Sequence, residues 1–412
     1  MRVLVICCLL AAPMVARAQR NGLLTKAGQP QFPIGSYELP KDDQGLRAMG
    51  EAGINLVRCG DRRDLDRAAS AGLQGWVPLP LHIGTQDGKL RQMVEAVRDH
   101  PALAVWEGPD EIVWNFTAYS GLFRNGTFPT RDEWWRQTPL AVKYSETQAA
   151  AIMPKMRAAV ELIRTLDSRK LPVWINEAAR SDLKFIRQYI DTIDITGCDV
   201  YPIHAATRIP TSVADYTERY KLVGRDRPVW MVLQGFAWGE LQGRDEPITY
   251  PTFAETRFMA WSSIVRGARG VLYWGMDAAP PQPVFRQSLY AMTSELAGLQ
   301  PFLAAPDAPG VRVETIDSEG FDSLNRGVKW IVRKAGRESL VALVNEDSRP
   351  RMGVVVSGLH DVQRLELLYG AETAEVHRGE FVTRLLPLEV KVFATSRRFE
   401  SARTAGREFV KP

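Results

Sequence analysis

Eight short apolar runs, each followed by an amphipathic stretch, constrain this chain more than any other feature. The runs are "QFPIGSYEL", "INLVRCG", "LQGWVPLPL", "ALAVWEGPDE", "LPVWINEAA", "IDITGCDVYPI", "PVWMVLQGFAWG" and "GVLYWGMD". Helical patterns follow them, in order "DDQGLRAMGEAG", "DRRDLDRAASAG", "GKLRQMVEAVRDH", "ETQAAAIMPKMRAAVELIRTLD", "SDLKFIRQYIDT", "SVADYTERYKLVG", "TFAETRFMAWSSIVRGA" and "QSLYAMTSELAGL". Several of these begin near an Asp, Ser or Thr able to cap a first turn, and several end at Gly before the next run. Alternation of this kind is the mark of βα units, and eight of them specify a (β/α)8 TIM barrel. An open doubly wound sheet would not require the count, and no GxGxxG follows the first strand.

After "QPFLAAPDAPG" the pattern changes to period-two runs such as "GVRVETID", "VKWIVRKAG" and "ESLVALVNED", separated by Gly, Asn and Asp. That pattern predicts a small antiparallel β-sandwich domain. The expected organisation is a signal peptide over 1–18, the barrel over 19–306, the β domain over 307–398 and a polar, loosely ordered tail over 399–412. A chain of 412 residues, 45% hydrophobic and 24% charged, is long enough for a large core and two domains.

The amino terminus, "MRVLVICCLLAAPMVARAQR", has one early Arg, an apolar run and Ala16-Arg17-Ala18 as a small-x-small cleavage site. It reads as a secretory signal, so the expected location is secreted or periplasmic, with no membrane contact once the signal is cleaved. Cleavage removes Arg2 and Arg17 and leaves 50 basic against 48 acidic residues. No basic stripe argues for nucleic acid. Cys59 and Cys198 are the cysteines left after cleavage, too few for a disulfide framework, and are read as two buried thiols. Nothing in the sequence sets the oligomeric state or calls for a cofactor.

In a barrel the active site lies at the carboxyl ends of the strands, so the residues there form a set. Strand 1 ends in Tyr37 and Glu38, strand 2 in Arg58, strand 3 near His82, and strand 4 in Asp110 and Glu111. Strand 5 ends in Asn176 and Glu177, strand 6 in Asp199 and Tyr201, strand 7 in Gln234 and Trp238, and strand 8 in Trp274 and Asp277. Carboxyls, amides and aromatic rings converging on one rim suit a carbohydrate substrate, whose hydroxyls need paired donors and acceptors and whose C–H faces stack on rings. A metal site would draw on several His at strand ends, and the chain has only five, so no metal is expected. The long loop over 114–145, rich in aromatics, is expected to be a lid, a binding wall or a satellite core.

Several of these segments, Arg58, "HPALAVWEGPDE", "DVYPI" and "GVLYWG", resemble those of the (β/α)8 clan of glycoside hydrolases that includes cellulases and β-galactosidases, over most of residues 31–300. The resemblance implies that Glu111, at the end of strand 4, is the general acid/base. It also implies that Trp274 lies beneath the cleaved sugar, and it favours a site role for Arg58 over a simple pair with Glu38. As a proton donor Glu111 needs a raised pKa, for which Asp110, Trp106 and Trp114 are the expected causes. The departure is Gln234, which stands where retaining members carry a nucleophilic Glu, and an amide cannot form the glycosyl ester. Asp199 is the expected second carboxylate, with Glu38, Glu177 and Glu240 competing. Tyr37, Glu38, Arg58, His82, Asp110, Asn176, Tyr201, Gln234, Trp238 and Trp274 are the expected substrate-binding residues. The leading expectation is a secreted glycosidase; the alternatives are an inactive barrel that binds carbohydrate or serves as a scaffold, and a non-glycosidic hydrolase, which lacks a GxSxG elbow.

Overall fold

The structure, a computed structural model, describes residues 21–241, 245–276, 283–316 and 326–405. The expected signal peptide and Asp277 lie outside the described residues.

All eight apolar runs form the strands of one closed parallel barrel. They are β1 (Ile34–Ser36), β2 (Leu56–Arg58), β3 (Gln74–Pro78), β4 (Leu103–Glu107), β5 (Val173–Ala178), β6 (Ile195–Val200), β7 (Val229–Gln234) and β8 (Gly270–Trp274). β8 pairs with β1, Val271 opposite Ile34, and so closes the ring. Every residue of β4, β5, β6 and β7 is buried, as expected of strands covered on one face by helices and on the other by the barrel interior. Trp76, Trp174 and Trp230 fill that interior, with the Trp174 and Trp230 rings 5.3 Å apart. Gly197 lets β6 pass close to β7, since a Cβ there would lie 2.1 Å from the Trp230 carbonyl oxygen.

The helices are α1 (Asp43–Glu51), α2 (Arg62–Ser70), α3 (Lys89–Val97), α4 (Pro139–Leu166), α5 (Leu183–Ile186), α6 (Ser212–Gly224), α7 (Phe253–Val265) and α8 (Pro283–Gly298). Asp42, Asp61, Thr138 and Thr252 cap the first turns of α1, α2, α4 and α7 through their side chains. The fifth helical pattern forms only one turn, because beyond Ile186 the chain turns and Tyr189 is drawn inward to donate to Glu177, 3.0 Å away. Much of the aromatic loop after β4 is a satellite core: Trp134 is buried against Phe185, and Phe128 against Tyr144. Trp135 remains 42% exposed.

The carboxyl-terminal domain stacks two antiparallel sheets. Its strands are β9 (Arg312–Thr315), β10 (Val328–Ala335), β11 (Glu338–Asn345), β12 (Arg351–Ser357), β13 (Arg364–Leu367), β14 (Thr373–Glu375), β15 (Glu380–Leu385) and β16 (Val390–Ala394). One sheet runs β9-β12-β15, the other β10-β11-β16-β13-β14, around Val332, Leu343, Val354, Val356, Phe381 and Phe393. The domain is tied to the barrel through α7, where Ser262 and Arg266 both donate to the buried Glu346 carboxylate. The described part of the tail is packed rather than loose: Thr404 is fully buried and donates to the Ala291 carbonyl at 2.7 Å. A polar tail docks here because its hydroxyl finds an acceptor on α8. Cys59 and Cys198 are free and buried.

Candidate active site

The site is built at the carboxyl end of the barrel, around the turn that follows β4. Side chains alternate along a strand, so Val105 points into the barrel, Trp106 outward and Glu107 inward. Trp106 therefore does not flank Glu111; its indole N–H donates outward to Asp167 at 3.0 Å. Past Glu107 the chain turns through Gly108, Pro109 and Asp110 and reaches Glu111 with φ +51, a left-handed conformation that costs a non-glycine residue about 1–2 kcal/mol. Two bonds hold that conformation. The Glu111 N–H donates to the Asn176 carbonyl at 2.9 Å, and the next N–H but one, of Val113, donates to the Glu177 carboxylate at 3.1 Å.

Four polar side chains then form one cluster. The Asn176 amide nitrogen donates to Asp110 at 2.9 Å and to Asp199 at 3.1 Å, using both of its hydrogens. Asp199 and Glu111 are joined by a carboxyl–carboxyl hydrogen bond. Burial, then the Glu111 charge, hold the Asp199 carboxyl well above the ordinary carboxylate range. Burial also raises Glu111, with the Asp199 hydrogen bond working against it and the Asp110 charge adding to it. Both carboxyls are raised and each acts on the other, so titration belongs to the pair.

Three more residues border this cluster. Tyr37 is 8% exposed, and its hydroxyl faces Asp110, the charge it meets most strongly and whose carboxyl it helps to hold down. Arg58 lies over the Tyr37 ring at 5.5 Å. Tyr201 feels Asp199, Asp110 and Glu111 together, and its ring lies 5.7 Å from that of Trp274. Trp238 continues the aromatic wall, stacked on His204 at 4.8 Å and bonded to the Tyr201 carbonyl.

Other expected site residues are engaged elsewhere. Gln234 is fully buried, and its amide is taken up by backbone: its oxygen accepts from Ile203 N–H at 2.9 Å, while its nitrogen donates to the carbonyls of Ile203 and Phe236 at 2.8 and 3.1 Å. It pins the loop after β6 to the end of β7 and has nothing to offer a sugar. Glu38 accepts from the N–H groups of Gly275 and Met276 at 2.7 and 3.0 Å, fastening β1 to the loop after β8. Arg58 pairs with neither Glu38 nor a second catalytic carboxylate but with Glu107, at 2.8 Å. Glu177 lies behind Glu111, bonded by Val113, Ser181 and Tyr189. Glu240 accepts from Ala237 N–H and from the Tyr250 hydroxyl. No hydrogen bond or charge interaction joins His82 to the cluster; burial and Lys155 lower its pKa.

Glu107 is the residue that the sequence reading passed over. It is fully buried at the inward end of β4, bonded by Arg58 and by the Trp76 indole at 3.1 Å, and burial pushes it up to about 7. Its signal was the alternation itself, since an inward Val105 requires an inward residue two positions on.

No family model matches the chain, and no curated protein matches it. Among solved structures, a β-galactosidase from Bacillus circulans sp. alkalophilus aligns over 89% of this chain and 99% of its own at 9% identity, with a TM-score of 0.55. A family 5 glycoside hydrolase from Bacteroides vulgatus aligns over 92% and 94% at 13% identity, TM-score 0.54. The chain has the fold of the (β/α)8 glycoside hydrolases. It spans only 60% of a further structure, the β-galactosidase of the psychrophilic Marinomonas ef1, which covers 65% of this chain at 14% identity and a TM-score of 0.48. At such identities the likeness is one of fold.

Proposed function

We propose that the protein is a glycoside hydrolase in which Glu111 is the general acid/base and Asp199 the carboxyl group that shares its proton. The observation that carries this reading is the hydrogen-bonded Glu111–Asp199 pair at the carboxyl rim of the barrel, beside Tyr201 and Trp274. A carboxyl held protonated beyond its ordinary range is what protonation of a departing glycosidic oxygen needs. The surrounding rings and amides match a sugar's C–H faces and hydroxyls. Asp199 does not meet the geometry of a usual second carboxylate. Retention uses a separation of about 5–5.5 Å and inversion about 6.5–9.5 Å, whereas Asp199 lies within hydrogen-bond reach of Glu111. It therefore acts as the reservoir for the Glu111 proton.

The amino-terminal sequence supports secretion or export to the periplasm. No described helix is long and apolar enough to cross a membrane. The test is hydrolysis of a broad panel of aryl glycosides and oligosaccharides by the wild type and by Glu111→Gln. Turnover by the wild type that the variant loses supports the proposal. Sugar binding with no turnover in either protein overturns it in favour of a barrel that only binds carbohydrate, a reading to which the backbone-bound Gln234 lends weight.

A further inference from the structure

Among the described residues no carboxyl stands across from Glu111 as a nucleophile, and a proton donor without one is an incomplete glycosidase. The other described strand-end carboxyls are bonded elsewhere: Glu38 by backbone N–H groups, Glu107 through one oxygen by Arg58 and Trp76, Glu177 by Val113, Ser181 and Tyr189, Glu240 by Ala237 and Tyr250. Asp199 lies against Glu111 instead of across from it. Gln234 is amide-neutral and bonded to backbone. When the protein supplies no nucleophile, a retaining reaction is still open if the substrate supplies its own, as in substrate-assisted hydrolysis.

The polar atoms next to Glu111 specify what that internal nucleophile would be. Asp110, one residue before the acid, is fixed through one oxygen by Asn176 at 2.9 Å, and a carboxylate can only accept. Facing it is the buried Tyr37 hydroxyl, directed at Asp110 and with no other partner. A carboxylate acceptor and a hydroxyl donor side by side complement the N–H and C=O of a secondary amide, which can insert between them. The Tyr201 and Trp274 rings offer an apolar wall for its methyl group. We propose that the substrate is a β-linked 2-acetamido-2-deoxyhexoside, held with its amide N–H on Asp110 and its carbonyl oxygen near Tyr37, and that this carbonyl oxygen is the nucleophile. The inference rests on the glycosidase reading above.

The chemistry balances without any further reagent. The amide oxygen bonds to C1 as the C1–O bond to the leaving group breaks, and Glu111 gives its proton to the departing oxygen. Positive charge then develops on the bicyclic oxazolinium, whose N–H rests against Asp110. Water next adds to C1 and passes a proton to Glu111, the C1–O bond to the amide breaks, and the acetamido group is restored. Because an equatorial 2-acetamido group reaches C1 from the face opposite the leaving group, the scissile bond must be β in gluco- and galacto-configured sugars, and the anomer is retained.

Four probes test it on the intact protein: 4-nitrophenyl 2-acetamido-2-deoxy-β-glucoside and -galactoside, and the 4-nitrophenyl β-glucoside and β-galactoside that lack the amide. The acetamido sugars should be cleaved at least about a hundredfold faster, and Asp110→Asn should lower their kcat by about a hundredfold, within the range of a lost transition-state contact. Replacing acetamido by trifluoroacetamido weakens the carbonyl nucleophile and should slow the wild type by a similar factor, a readout that needs no variant to fold. The product's first anomer, read by NMR, should be β. Equal or faster cleavage of the sugars lacking the amide, indifference to fluorination, or an inverted product overturns the inference and leaves the glycosidase reading standing. Failure on all four probes overturns it too, and the broader glycoside panel then decides whether the glycosidase reading falls with it.

Discussion

The ends of β4 and β7 face each other in what they have left undone. At β4 the backbone of Glu111 is held in a left-handed turn, its carboxyl interacts with that of Asp199, and the nearby Tyr37 hydroxyl faces Asp110. At β7 the Gln234 amide makes three hydrogen bonds, all to backbone, and has no exposure. Buried polar groups are normally satisfied, so a strained end points to a ligand, whereas a satisfied end holds up the fold. In a retaining barrel both ends would carry chemistry; on the function proposed above only the β4 end does.

The largest break in that contrast comes from Glu111→Gln. An amide is close in size and still accepts from the Asp199 O–H, yet it cannot donate a proton to a leaving oxygen. We expect kcat to fall by about 10³-fold, within the range set by losing a general acid, with the unfolding midpoint nearly unchanged. The wild-type rate should also fall as pH rises through the titration of the Glu111–Asp199 pair, and this limb should vanish in the variant.

The mirror-image substitution, Gln234→Glu, asks whether β7 is waiting for the missing nucleophile. A carboxylate there would lose both donated bonds and confront the carbonyl oxygens of Ile203 and Phe236 in a fully buried position. The expected result is a loss of about 2–4 kcal/mol in urea unfolding and no gain in hydrolysis. A variant that folds normally and turns over faster would show that β7 carries chemistry after all.

Glu177 links the two kinds of end, since its carboxylate is well bonded yet supports the turn that presents Glu111. Burial raises it from 4.5 to about 8, so the folded state holds a proton there that the unfolded state has released. Stability attached to this group is therefore greatest below about 4.5 and declines as pH rises toward 8. Glu107, raised to about 7, has the same sign. Thermal unfolding measured across this window should show a shallower fall in Glu177→Gln than in the wild type, with the Glu107 share remaining. A slope that does not change would mean that Glu177 ionises in the folded protein as it does in the unfolded chain.

The barrel was legible because periodicity is a property of whole segments, and an eightfold repeat leaves few topologies. The rim was legible as a list of strand-end residues, but their partners were not. Arg58 was a choice between partners, and it bonds to Glu107, a residue whose inward direction follows only from counting along β4. Glu38, Glu177 and Gln234 all stood in the right places and turned out to hold backbone, because whether a carboxyl or amide is free depends on N–H groups and carbonyls far away in sequence. Glu38, for one, is bonded to Gly275, at the other end of the barrel's chain. Such bonds leave no mark in local composition.

The smallest expected effect tests the quiet end of the comparison. Glu240 is the first acid after β7, and on sequence alone it is a competitor for the catalytic partner. Its oxygens accept from Ala237 N–H at 3.1 Å and from the Tyr250 hydroxyl, both within the same loop. Gln at this position can still accept a hydrogen bond from either donor, so the loop should keep its shape. We expect kcat to stay within about threefold of wild type, the scale of a substitution that touches neither core nor chemistry. A loss approaching that of Glu111→Gln would move the second catalytic carboxyl to β7 and remove the need for a nucleophile from the substrate, since an acid that must leave two hydrogen bonds to react would then be doing so.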